Sequence, residues 1–371
     1  MRTEKAVSFS GRLKKRKYIT AFMMAGALAA SLAGCQKKEA EVRAVAMGDG
    51  KGVEEISSLT ESNSGAETVN SEDLITVGLS QLGAESDWRI ANTESFKSTF
   101  TTDNGYYLIY DDAQQKQENQ LKAIRNYILQ EVDYIVLAPI VETGWDSALQ
   151  EAKDAGIPVI LADRKVAVED EELYTSYVGA NFTKEAEDAG KWLISYLEST
   201  GRSKDTINIV TLQGTPGASA ELGRTEGFQK VMDTQPNWNM LEIRSADFTQ
   251  AKGQEVMQYF LDTYEDIDVV ISQNDNMAFG AIDAIEAAGK TCGPDGEITI
   301  ISFDAVSGAF DCMMEGTMNA DFECNPLHGP RVDEIIQNLE AGRTVDKIQY
   351  VDETYFDTTM DLAKLKEGRV Y

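Results

Sequence analysis

Short apolar runs, each closed by a polar residue and followed by a segment of helical length, repeat from residue 74 to beyond residue 320, and this alternation leaves few architectures open. The runs 74–80, 106–111, 134–139, 158–163 and 176–180 read as strands, with helices over 87–100, 115–130 and 144–155 between them. A second series has strands near 207–213, 241–247, 269–274, 298–304 and 318–324, and helices over 182–198, 218–232, 250–264 and 276–288. Parallel neighbours need crossovers of this length, so the pattern predicts an α/β fold of two similar doubly wound parallel-sheet lobes. The stretch is longer than one typical core and suits two. There is no short-period repeat, which argues against solenoids and propellers.

The residues that stop the apolar runs carry the functional signal. Ser80, Asp111 and Asp163 end strands in the first series, and Gln213, Asp247, Asn274 and Asp304 do so in the second. Ligands of open parallel sheets bind at this carboxyl edge. Each residue taken singly reads first as a cap on the helix that follows and only second as a ligand group. So many in both lobes predict a polar cleft.

Composition narrows the partners. The chain has 371 residues and a formal charge of −28, with 62 acidic against 34 basic residues, which opposes binding to nucleic acid or to an anionic lipid face. The acidic surface is otherwise what keeps a secreted protein dispersed. Apart from Cys35, the cysteines are Cys292, Cys312 and Cys324, without CxxC spacing, so free buried thiols are expected although one disulfide is allowed. The lone histidine, His328, precedes a predicted helix start and supplies neither a metal cluster nor a triad by itself. No metal and no cofactor is expected.

The amino terminus supplies an address. Arg12, Lys14, Lys15, Arg16 and Lys17 precede an apolar run over 18–32 that is too short to cross a bilayer as a lone helix, so residues 1–34 read as a secretion signal. The segment Leu32-Ala33-Gly34-Cys35 resembles a bacterial lipobox, which implies cleavage and lipidation of Cys35 on the outer face of the cell membrane. Residues 35–73 are rich in Glu, Ser, Gly and Ala and read as a flexible tether.

Several strand-end clusters together resemble the ribose and galactose type of periplasmic solute-binding protein. They are Asp163-Arg164 after 157–162, Asn181 after the next strand, Gln273-Asn274-Asp275, Arg224-Thr225-Glu226-Gly227-Phe228, Asp247-Phe248 and Ser302-Phe303-Asp304. Within it the galactofuranose-binding branch is nearest, through Ser80-Gln81, Glu85-Ser86, Trp88-Arg89, residues 115–120, Ala138-Pro139 and Thr143-Gly144-Trp145. The resemblance implies a type I periplasmic binding protein fold. Its three-crossing hinge would fall near Ala180 and Asn181, Cys324 and Asn325, and Val351 to Glu353. The lobes would be 74–180 with 325–351, and 181–324 with 352–371. It implies a monomer that captures a monosaccharide by closing and is then read by an ABC permease, with the membrane touched only through the lipid.

The residue chemistry suits a sugar, whose apolar faces and hydroxyl rim call for aromatic surfaces and edge-on donors and acceptors. Trp88 and Phe248 are candidates for the faces, and each reads equally as core. Asp163 accepts from hydroxyls while Arg164 offers a planar fork of donors. The resemblance places Asn181, Asp247, Asn274 and Asp304 on the ligand as well, with Arg89 and Arg224 facing it from opposite lobes. One departure is Phe322-Glu323-Cys324-Asn325-Pro326, where Cys324 stands in place of the glutamine of the ribose branch; Glu85 and Glu323 are candidate replacements.

Two other classes compete. A carbohydrate hydrolase would need a carboxylate pair, for which Asp163 and Asp304 are the candidates, but Arg164 and neighbouring amides are expected to keep strand-end aspartates ionised. A sensor subunit serving a membrane kinase would have the same fold and site. A repressor of this architecture would need a DNA-binding helical domain where this chain carries its leader.

Overall fold

The computed structural model describes residues 74–371; the leader, Cys35 and the tether lie outside these residues. The first lobe opens with β1 (Ile75–Gln81), α1 (Asp87–Thr99), β2 (Tyr106–Asp112), α2 (Gln117–Leu129), β3 (Tyr134–Leu137), α3 (Asp146–Ala155), β4 (Val159–Ala162) and β5 (Ser176–Gly179). The chain then builds a second lobe from α4 (Phe182–Ser199), β6 (Ile207–Gln213), α5 (Ser219–Met232), β7 (Trp238–Ser245), α6 (Gln250–Thr263), β8 (Val269–Ser272), α7 (Asp275–Ala287), β9 (Thr299–Asp304), α8 (Ser307–Glu315) and β10 (Ala320–Glu323). It returns to the first for α9 (Gly329–Glu340) and β11 (Ile348–Tyr350), and ends in the second with β12 (Tyr355–Asp357) and α10 (Leu362–Glu367).

The sheets have matching orders, β11-β5-β4-β3-β1-β2 and β12-β10-β9-β8-β6-β7, so the polypeptide passes between lobes three times. Each sheet reverses its winding beside its first strand, β1 or β6, and the carboxyl edges of both face the gap between lobes. Apolar side chains cover both faces of the strands. On β3, Tyr134 and Val136 join one cluster with Phe96 and Ile336, while Ile135 and Leu137 join another with Ile124 and Leu149. That double burial is why these strands read as continuous apolar runs.

One strand departs from the all-parallel expectation. β12 runs antiparallel to β10, with Phe322 opposite Tyr355, because the third crossing enters the second lobe at the ligand edge, where β10 has just ended. It can only run back along its neighbour. β7 starts at Trp238, earlier than expected, because the buried Trp238 ring stacks on Phe228 at 5.9 Å and extends an edge strand that is otherwise largely exposed.

Candidate functional site

In the first lobe the start of α1 sets the geometry. Ser86 caps this helix by accepting from the Arg89 amide at 3.1 Å, which holds Glu85, Trp88 and Arg89 against the end of β4. The Arg89 guanidinium donates to Asp163 Oδ2 at 2.5 Å, Glu85 Oε1 at 3.1 Å and Gln81 Oε1 at 3.3 Å. Arg164 donates to the Ile140 carbonyl at 2.9 Å and lies 3.7 Å from Asp163 Oδ2 and 3.9 Å from Glu85 Oε1. Asp163 has φ +65°, a left-handed conformation that costs a non-glycine residue energy, and Tyr177 holds the turn by donating to the Asp163 carbonyl at 2.8 Å. The turn aims neighbouring side chains into the gap.

Arg224 organises the second lobe's half. Projecting from α5, it donates to Glu185 Oε2 at 3.0 Å, the Gln273 carbonyl at 2.5 Å and Asp304 Oδ1 at 3.3 Å. Its guanidinium carbon sits 4.8 Å from the Phe303 ring centre and 5.3 Å from that of Phe182. Asn274 caps α7 by accepting from the Met277 amide at 3.0 Å, and its Nδ2 donates to the Phe248 carbonyl at 3.2 Å. The cap and the cleft residue are therefore one side chain, and it fixes the loop that carries Phe248.

Between these halves lies a cavity of about 280 Å³, lined by Glu85, Trp88, Arg89, Asp163, Arg164, Arg224, Phe248, Asn274 and Asp304, the last four from the second lobe. Its size is at the lower end for small-molecule sites. The lobes meet at the rim: the Asp87 amide donates to Asn276 Oδ1 at 3.0 Å, that of Glu142 to the Gly217 carbonyl at 2.9 Å, and that of Lys165 to Ser219 Oγ at 2.9 Å. Glu85 Oε2 and Arg164 Nε are buried at the cavity without a hydrogen-bond partner among the described residues. A ligand carrying both donors and acceptors would satisfy them.

The charges are uneven. Burial works to raise Asp163, but the Arg89 and Arg164 guanidiniums hold it below the usual carboxylate range. Burial and then Arg89 push Arg164 down to about 10, so it stays charged at neutral pH. Asp304 corrects the expectation that strand-end aspartates stay ionised: burial raises it well above the carboxylate range despite Arg224. As a carboxyl it can donate to a hydroxyl as well as accept.

Two expected residues do not line this cavity. Asn181 caps α4, accepting from the Lys184 amide at 3.2 Å, and borders a separate hollow at the hinge. Asp247 accepts from Ser245 Oγ at 3.1 Å in a turn with φ +53°, half-exposed, and serves to deliver Phe248. Glu323 also faces elsewhere, bonding Arg369 Nη1 at 3.0 Å and the Tyr371 hydroxyl at 2.9 Å. Ser86, Phe182, Ala220 and Cys324 also line the cavity. For Cys324 the signal existed in its place at the second crossing.

Cys292, Cys312 and Cys324 are all free thiols. His328 supports the site from below: its buried ring packs edge-on to Trp88 at 5.8 Å, and Nδ1 lies 3.2 Å from Asn92 Nδ2. Burial lowers it from 6.5 to about 4. The folded protein thus binds this proton less readily than the unfolded chain, so stability is full above pH 6.5 and falls as pH drops toward 4. The loss is on the order of 3 kcal/mol, and urea titrations between pH 7 and 4 should show it flattened in His328→Gln.

Two lobes closing a polar, aromatic-walled cavity at their sheet edges define a two-domain binding protein. The sequence matches the periplasmic binding protein domain over residues 77–323, and the chain belongs to that family, whose members are extracytoplasmic solute binders and not enzymes. It is 40% identical over 303 residues to the galactofuranose-binding protein YtfQ of Escherichia coli K12, covering 80% of this chain and 93% of that protein. A Mycobacterium smegmatis protein in complex with β-D-fucofuranose is 40% identical, with a TM-score of 0.74 and coverage of 79% and 98%. The binding component of the arabinose ABC transporter of Shewanella sp. ANA-3, bound to α- and β-L-arabinofuranose, is 38% identical, with a TM-score of 0.74 and coverage of 80% and 95%.

Proposed function

We propose that the protein captures a furanose monosaccharide of the galactofuranose kind between its lobes and delivers it to an ABC sugar permease, held outside the cell by a lipid on Cys35. The observation that carries this reading is the cavity in which Asp163 and Arg164 face Arg224, Asn274 and Asp304 between Trp88, Phe182 and Phe248. Charged and amide groups would take the hydroxyl rim, and the rings its apolar faces. Relatives whose names or titles specify galactofuranose, fucofuranose and arabinofuranose support a five-membered ring. Closure divides the chain into 74–180 with 325–351 and 181–324 with 352–371. Contacts from both halves are completed only when the lobes shut, so the sugar stabilises the form that a permease reads as loaded.

A thermal-shift panel of galactose, arabinose, fucose, ribose and fructose tests the reading, because a ligand bound only by the folded state raises Tm. Galactose, arabinose or fucose should give the largest shift, with a furanose ring in the crystal of the complex. A null result across the panel would refute sugar binding, and a pyranose in the crystal would refute the ring assignment.

A further inference from the structure

The three hinge crossings deliver three potential metal donors to one point. Glu185, in the first turn of α4 just after the first crossing, Cys324 at the second and Glu353 at the third each offer a donor atom, and these atoms lie within 4.8 Å of one another. Glu185 is 7% and Cys324 2% exposed, and Glu353 is half-buried. Glu185 spends Oε2 on Arg224, while its Oε1 is buried with no hydrogen-bond donor beside it among the described residues. Cys324 carries a free thiol, and Glu353 Oε1 accepts from the Asn325 amide at 2.8 Å. Arg224 is already shared with Asp304. Two facing carboxylates beside a thiol require either shared protons or a cation.

We propose that Glu185, Cys324 and Glu353 form a divalent transition-metal site of the zinc class that ties the three hinge segments together. A sulfur donor with two carboxylates favours such an ion over calcium or magnesium, which prefer all-oxygen sets. Donors around tetrahedral zinc stand about 3.5 Å apart, given bonds of about 2.0 to 2.3 Å, so the side chains need to draw in by about 1 Å. Glu185 and Glu353 also line a hollow of about 880 Å³, from which solvent would supply a fourth ligand. Binding places the ion on carboxylate and thiolate, releasing to solvent any protons that those groups hold. The donors lie far apart in sequence, so no spacing motif announces them.

The test uses the full chain stripped with a chelator and titrated with Zn2+ by calorimetry and with Co2+ by absorption. About one equivalent per chain is expected, with a thiolate-to-cobalt charge-transfer band in the near ultraviolet. Cys324→Ser should abolish the band, and Glu353→Gln should weaken Zn2+ binding by about tenfold or more. Cys292→Ala and Cys312→Ala should change neither, and circular dichroism establishes that each variant is folded. Absence of stoichiometric binding, a band that persists in Cys324→Ser, or full affinity in Glu353→Gln would overturn the site and leave three groups that share only protons. Because Glu353 does not line the sugar cavity, that outcome leaves the sugar reading standing.

Discussion

Replacing Asp163 by alanine is expected to weaken sugar binding by roughly thirtyfold or more while the protein remains folded. The carboxylate stands between Arg89 at 2.5 Å and Arg164 at 3.7 Å, and all three side chains are buried. Removing one partner of a buried charge pair costs on the order of 2 to 5 kcal/mol, much of it from the charge left behind. Glu85, 3.1 Å from Arg89 and 3.9 Å from Arg164, takes up part of the imbalance and keeps the lobe intact. Its remaining oxygen is then drawn away from the cavity. Isothermal titration of the folded variant is the measurement, and an affinity within about twofold of wild type would remove the strand-end pair from the site. Asp163 also sets an acid limit. Its folded pKa lies below the unfolded value of 3.8, so its contribution to stability is complete above that pH and is lost as pH falls through the lower folded value.

Arg224→Ala should lower both affinity and stability. Its guanidinium is the cation beside Glu185 and Asp304 and the donor to the Gln273 carbonyl, all in one buried spot. Breaking a buried ion pair from one side costs about 3 to 5 kcal/mol. For a body of this size the corresponding fall in Tm is on the order of 10 °C. Glu185 is already raised by burial, and without the guanidinium both carboxyls are pushed further up. A folded pKa above the unfolded one favours folding at low pH and loses that contribution as pH rises, so the deficit should grow from pH 5 to pH 8. The double variant Arg224→Ala/Glu185→Gln should recover part of the loss. Calorimetric melts that show a pH-independent deficit and no recovery would mean that Arg224 acts through packing on Phe182 and Phe303 instead.

Much of this was legible because the controlling forces are local. A parallel strand covered on both faces must be apolar along its length, so the runs 134–139 and 269–274 announce themselves, and Asp163 with Arg164 stands out as a charged pair ending such a run. Short elements were not legible. β11 and β12 have three residues each and sit at sheet edges, too brief for any period to show, and their pairing is set by where the hinge returns the chain.

The division within the site has a different cause. Asn181 and Asn274 look alike in sequence, each following a strand and opening a helix, and both cap the helices they precede. Only Asn274 also borders the cavity; next to Asn181 it is Phe182 that does. Asp163, Asp247 and Asp304 all adopt positive φ, at +65°, +53° and +116°, yet only Asp163 and Asp304 line the cavity. Aspartate enters the left-handed region more readily than most residues, but the sequence does not mark at which aspartate the chain does so.

The sequence by itself determined the two-lobed parallel architecture and the edge at which a ligand must bind, because burial on both faces and crossover length are written residue by residue. Only the tertiary structure decided which strand-end groups converge, and it did so by bringing distant segments together. Arg89 meets Asp163, Arg224 meets Glu185 and Asp304, and Glu185 meets Cys324 and Glu353 across the three hinge crossings. The reason is physical: a buried charge needs a compensating partner, and the partner is supplied by whatever segment the packing of the two sheets places beside it.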